Sequence, residues 1–159
     1  MRAAVVWGAA AVAAALAVAG GVAVLQRAPA GPIEPAWDRE PCAHCRMHLS
    51  EPGFAAQLRT ADGAVLFFDD PGCLFLRQAG SRERPQAVYF HHVREDRWLT
   101  AAEVGFVGGE RTPMGWGFAA VAADEPGAVA LEVARAAVLA AADAAVRASG
   151  KEPHGRAAR

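Results

Sequence analysis

The sequence predicts an α+β domain assembled from β-β-α-β units, and three local signals predict it. Residues 54–59 alternate in polarity, residues 64–68 are apolar, and Asp62-Gly63 between them is a strong hairpin turn. Next, Asp69-Asp70-Pro71 offers a capping carboxylate followed by proline at the first helical position. That pattern starts a short helix over residues 71–78, ended by Gly80. Finally, residues 87–93 return to a β-rich pattern, closing the unit.

The remaining elements follow from similar cues. Residues 3–25 hold no charge and are built from Ala, Val, Gly, Leu and one Trp. At about 1.5 Å per residue this run matches a bilayer core of about 30 Å, longer than the apolar part of a secretory signal. Residues 1–27 therefore read as an uncleaved signal anchor, a transmembrane helix. The rival is a cleaved signal peptide, since Ala28-Pro29-Ala30 has a small-x-small pattern, although Pro29 suits a processing site poorly. Residues 28–41 contain Pro29, Pro32, Pro35 and Pro41 and read as a linker. The domain itself is expected over residues 42–148.

Within its second half, residues 94–97 make a polar turn before Trp98 and Leu99. Thr100 caps a turn through Glu103, and Phe106-Val107 is a brief strand. Thr112-Pro113-Met114-Gly115-Trp116-Gly117 must form a tight irregular loop, and residues 118–122 a buried strand. Residues 128–148 have the composition of a long C-terminal helix. Glu132, Arg135, Asp143 and Arg147 share one stripe facing water, so the Ala-rich remainder packs inward but loosely. The tail, residues 149–159, reads as disordered.

Composition narrows the function. The chain of 159 residues has room for one modest domain plus an anchor. A formal net charge of -1 with no Lys/Arg run excludes a nucleic-acid surface, which needs a basic stripe. Three cysteines cannot close a disulfide framework, and an odd count outside the cytoplasm points to a reactive or metal-bound thiol.

The chemistry is concentrated in Cys42-Ala43-His44-Cys45-Arg46-Met47-His48, which holds five soft or borderline ligands in seven residues. Thiolate, thioether and imidazole together favour Cu(I), with zinc as the main competitor. Apart from Met1, the chain's methionines are Met47 and Met114, each in a local motif. The Cys42-x-x-Cys45 pair leaves three readings open: a metal site, a redox pair or a structural bridge. Haem attachment fails because Arg46, not His, follows Cys45. A closed zinc site would need more ligands from a distance. Cys73, near the start of the predicted helix, is either a thiolate ligand or a small apolar side chain packed beneath it. His44 and His48 are supplementary ligand candidates. Asp69 and Asp70 read as caps rather than hard-metal ligands. Adjacent in a strand, His91 and His92 point to opposite faces and cannot chelate together, which places one of them at the surface.

Taken in order, C-x-x-C-x-M, F-A-A-Q, F-F-D-D-P-G-C, W-L-T-A-A-E and T-P-M-G make the chain from Cys42 to Asp124 resemble the NosL family, the nitrous oxide reductase accessory proteins. The resemblance implies an α+β fold and a Cu(I) metallochaperone on the outer face of the bacterial cytoplasmic membrane. By position it implies Cys42, Cys45, Met47 and Met114 as copper ligands, and an apo cuproenzyme as partner. Two departures stand out: Arg46 occupies a position where the family commonly has glycine, and no lipidation signal precedes Cys42, so the span over residues 3–25 would replace the lipid. The expectation is thus a membrane-tethered protein that hands on Cu(I) without catalytic turnover. The alternatives are an exported thiol–disulfide oxidoreductase using Cys42 and Cys45, or a zinc-stabilised interaction domain.

Overall fold

The structure, a computed structural model, describes residues 31–82 and 84–150, with Val18 besides. Two compact units divide the chain, Met1–Ile33 and Glu34–Arg159, and every strand and helix named below lies in the second. The anchor read over residues 3–25 and the tail from residue 151 lie outside the described residues, Val18 excepted. Among those described, no helix is long and apolar enough to cross a membrane.

The hairpin forms where Asp-Gly predicts it. β1 (Ala56–Arg59) pairs antiparallel with β2 (Val65–Phe68), and Gly63 takes a φ of +90° in the turn, a conformation glycine adopts without penalty. α1 (Pro71–Ala79) then begins on Asp70, whose side chain accepts from the Gly72 N–H. β3 (Ala87–His91) returns beside β1, and β4 (Trp98–Thr100) adds to its outer side, giving a sheet ordered β2-β1-β3-β4. The β-β-α-β unit is therefore present, extended by one strand.

In the second half, β5 (Val104–Gly108) pairs with β6 (Phe118–Ala122) on one side and with β7 (Val129–Ala130) on the other. The turn before β5 is closed as Thr100 predicts, its N–H and hydroxyl both donating to Glu103. α2 (Leu131–Ala148) follows β7 directly. Residues 129 and 130, expected to open this helix, instead form the third strand. No side chain at Ala130 caps the helix, and β5 offers an open edge at Gly105 and Phe106. A Cβ at Gly105 would lie 2.9 Å from the Ala128 Cβ, so this close approach needs glycine. Beyond Ala134 and Val138, α2 buries little, as an alanine-rich helix must, since each alanine removes little apolar area from water.

The two sheets and α1 meet at three phenylalanines. Phe75 of α1, Phe90 of β3 and Phe106 of β5 lie with centroids 5.1–5.9 Å apart in tilted or edge-to-face pairs, all fully buried. A backbone bond from Val93 N–H to Ala120 O joins the end of the first sheet to β6.

Two sequence expectations change here. The stretch from Glu34 to Pro41 packs onto the domain: Asp38 N–H donates to Leu49 O, Leu49 N–H to Glu40 O, and Pro41 bridges His48. The prolines that suggest a spacer suit this irregular, partly buried path equally well. His91 and His92 are both buried, so neither takes the surface position expected. The strand ends at His91, and alternation no longer governs His92. The His92 Nδ1 accepts from the N–H groups of Arg94 and Glu95, which leaves the proton on Nε2 to donate to Glu125 at 2.7 Å.

Candidate metal centre

Cys42 begins a tight turn that folds back on itself. Its N–H donates to Met47 O and its carbonyl accepts from Arg46 N–H, while Ala43 N–H ties the turn to Phe67 O at the end of β2. Arg46 sits at a φ of +70°, the left-handed region. Side chains with a Cβ are disfavoured there, so the turn holds Arg46 at a conformational cost that glycine would not carry. The turn thus sets Cys42 and Cys45 over the end of β2. Asp69 and Asp70 alone separate that strand from α1, which delivers Cys73 on its first turn.

The outcome is that Cys73, distant in sequence, comes together with the paired Cys42 and Cys45. Their sulfurs lie within 4.8 Å of one another, and none is in a disulfide. A metal bonded to three thiolates at about 2.3 Å would hold them about 4 Å apart, so capture needs a contraction of less than about 1 Å. Cys42 and Cys73 are fully buried and Cys45 is half-buried, which gives the cluster one open side. Cys73 therefore does both things the sequence left as alternatives: it is buried in the core and it faces the two motif cysteines.

The electrostatics distinguish the three thiols. Cys42 is pulled down to about 4, first by the hydrogen bond that Cys73 donates to it. Burial opposes that bond, and the N–H groups of Asp69, Cys45 and His44, donating to the same sulfur, add to the lowering. Cys73 is pushed strongly up, first because it donates to Cys42 and then because it is buried. Burial raises Cys45 as well. One thiolate that accepts from backbone donors, flanked by two thiols, is an arrangement that can accept a soft cation.

The remaining candidates divide. Met47 is 53 % exposed, and His44 and His48 are exposed as well, all three on the turn that carries Cys42 and Cys45. Met114 is half-buried against the core, and its loop is docked at the N-terminus of α1. Asp70 holds it there. One carboxylate oxygen accepts from Gly72 N–H at 2.8 Å and the other from Met114 N–H at 3.1 Å, with Thr112 and Trp116 also donating. Burial raises the Asp70 carboxyl and these donors oppose it. Asp69 is raised too, again first by burial, against the Ser50 N–H. Sequence reasoning found the cap on α1 but missed that its second oxygen reaches a loop more than forty residues on. No local signal encodes that contact.

The fold and the cluster together define an α+β domain with a candidate soft-metal site built from three cysteines. No family model matches the sequence, and no curated relative does. Among solved structures, the chain is similar to the copper chaperone NosL from Shewanella denitrificans. The likeness covers 71 % of this chain and 89 % of that one, at 18 % identity and a TM-score of 0.48.

Proposed function

We propose that this chain is a Cu(I)-binding metallochaperone, tethered to the bacterial cytoplasmic membrane by residues 1–27, that delivers copper to an extracytoplasmic cuproenzyme such as nitrous oxide reductase. The observation that carries the reading is the convergence of Cys42, Cys45 and Cys73 within 4.8 Å. Among the described residues the cluster is made of sulfur alone, which suits a soft monovalent ion, and the exposed Met47 and His44 on the same turn suit a path for ligand exchange. Met114 is the further ligand that the resemblance implies, and its loop stands beside the helix carrying Cys73.

The dithiol-redox reading is weakened by which thiol is activated. An exchange catalyst attacks with an accessible thiolate, whereas here the low-pKa Cys42 is fully buried and the half-buried Cys45 is raised. A zinc-stabilised module would take zinc in preference to copper at the same thiols. The test is a Cu(I) competition titration of the reduced protein against a chromophoric chelator. One equivalent should bind, Cys42→Ser or Cys45→Ser should weaken it sharply, and mild oxidation should abolish it reversibly. Wild-type affinity in both serine variants, or purification with stoichiometric zinc that copper cannot displace, would overturn the reading.

A further inference from the structure

We propose that Asp70 is a positioning residue for Met114, a pin that holds the loop of residues 112–117 against the helix carrying Cys73. The inference rests on the reading of the site given above.

A helix cap needs one side-chain oxygen, and serine, asparagine and aspartate serve about equally well. Asp70 uses one oxygen in that way, accepting from Gly72 N–H. Its second oxygen accepts from Met114 N–H, and the Thr112 hydroxyl and the Trp116 backbone N–H also donate to the carboxylate. Three donors from a five-residue stretch therefore end on one carboxylate that has no exposure to water. Burying a carboxylate is costly unless donors satisfy it, and a cap alone would not need it buried. The loop's donors are what make this residue tolerable as an aspartate.

Trp116 supplies an independent sign that the loop is held. Its ring lies so close over Gly72 that a Cβ there would stand 2.3 Å from the ring Cγ. Its Nε1 is buried without a hydrogen-bond partner among the described residues, an arrangement that costs about 1–3 kcal/mol. Packing on Gly72 and the bonds to Asp70 together offset that cost. Asp69, one residue earlier, serves the other loop: its N–H reaches the Cys42 sulfur and its carboxylate accepts from Ser50 N–H at 3.4 Å. Neighbouring residues thus hold the two sulfur-bearing loops separately, Asp69 through its backbone N–H to Cys42 and Asp70 through its carboxylate to residues 112–116.

The test is a double-mutant cycle on the reduced full chain, with Cu(I) affinity read by chelator competition and folding by thermal unfolding. Asp70→Asn keeps an oxygen for the helix cap but cannot accept from every loop donor. It should weaken Cu(I) binding roughly tenfold in the wild-type background and by less than about twofold in a Met114→Leu background. Asp69→Asn is the control, and its effect should be the same in both backgrounds. A loss from Asp70→Asn that is equal with and without Met114 would overturn the proposal, because the effect would then be general loosening. Unchanged affinity in Met114→Leu alone would overturn it too and would remove Met114 from the site; the cysteines are judged separately by Cys42→Ser. Should Asp70→Asn fail to fold, Thr112→Val removes one donor to the same carboxylate. It must then show the same dependence on Met114, at smaller size.

Discussion

The turn over residues 42–48 and the loop over residues 112–117 both end in a tight irregular path bearing a methionine, yet different chemistry holds them. The first is secured by its own backbone bonds and by a thiolate, since the Cys42 sulfur accepts from the N–H groups of Asp69, Cys45 and His44. The second is secured by a carboxylate, Asp70, and by an indole seated on glycine. Their methionines differ accordingly: Met47 is exposed and Met114 is half-buried. A site assembled from two such parts can lose either one while keeping the other, which makes the parts separable by experiment.

The largest effect should come from Cys42→Ser, which removes a candidate ligand and the sulfur on which the first turn's donors converge. Cu(I) affinity should fall by more than the roughly 10–100-fold typical of outer-sphere partners. Next, Gly72→Ala should displace Trp116 and with it the second loop, destabilising the domain by about 1–3 kcal/mol in urea unfolding. The Cys42 thiolate should survive this change, so its ultraviolet absorbance distinguishes damage to one loop from damage to both.

A pH titration sharpens the same contrast. With Cys42 held at about 4, against about 8.5 for a free thiol, the folded protein binds fewer protons at this group than the unfolded chain does. Its contribution to stability is therefore full above the unfolded value and is lost as pH falls through about 4. The raised Cys45 and Cys73 act oppositely, contributing below the unfolded thiol value and losing that contribution as pH rises through their folded values. The apo protein should accordingly keep one thiolate signal down to about pH 4, and Cys42→Ser should abolish it. The smallest effect is expected from Arg46→Gly. Relief of the left-handed φ at +70° should stabilise the first turn by about 0.5–1 kcal/mol, with no change in the second.

What could be read from the sequence was local. Asp62-Gly63 announced the hairpin and Asp70-Pro71 the start of α1, because turn and cap chemistry act over a few residues. Ala and Val gave no such mark at residues 129 and 130, where an open strand edge settled the conformation instead. Within the site, the soft ligands were visible as residue types, but their convergence was not. Cys73 joins Cys42 and Cys45 because β2 ends beneath the first turn, and Asp70 meets Met114 because the second half folds back over α1. The buried His91 and His92 mark the same limit: the strand ended between them, and alternation ceased to apply.

X-ray absorption at the copper edge, on the reduced protein loaded with one equivalent of Cu(I), tests the central claim most directly. The account predicts a first coordination sphere of sulfur, and a Cys73→Ser variant with one sulfur fewer. A sphere dominated by nitrogen or oxygen, or a spectrum unchanged by Cys73→Ser, would contradict the assignment of the three-cysteine cluster as the copper site.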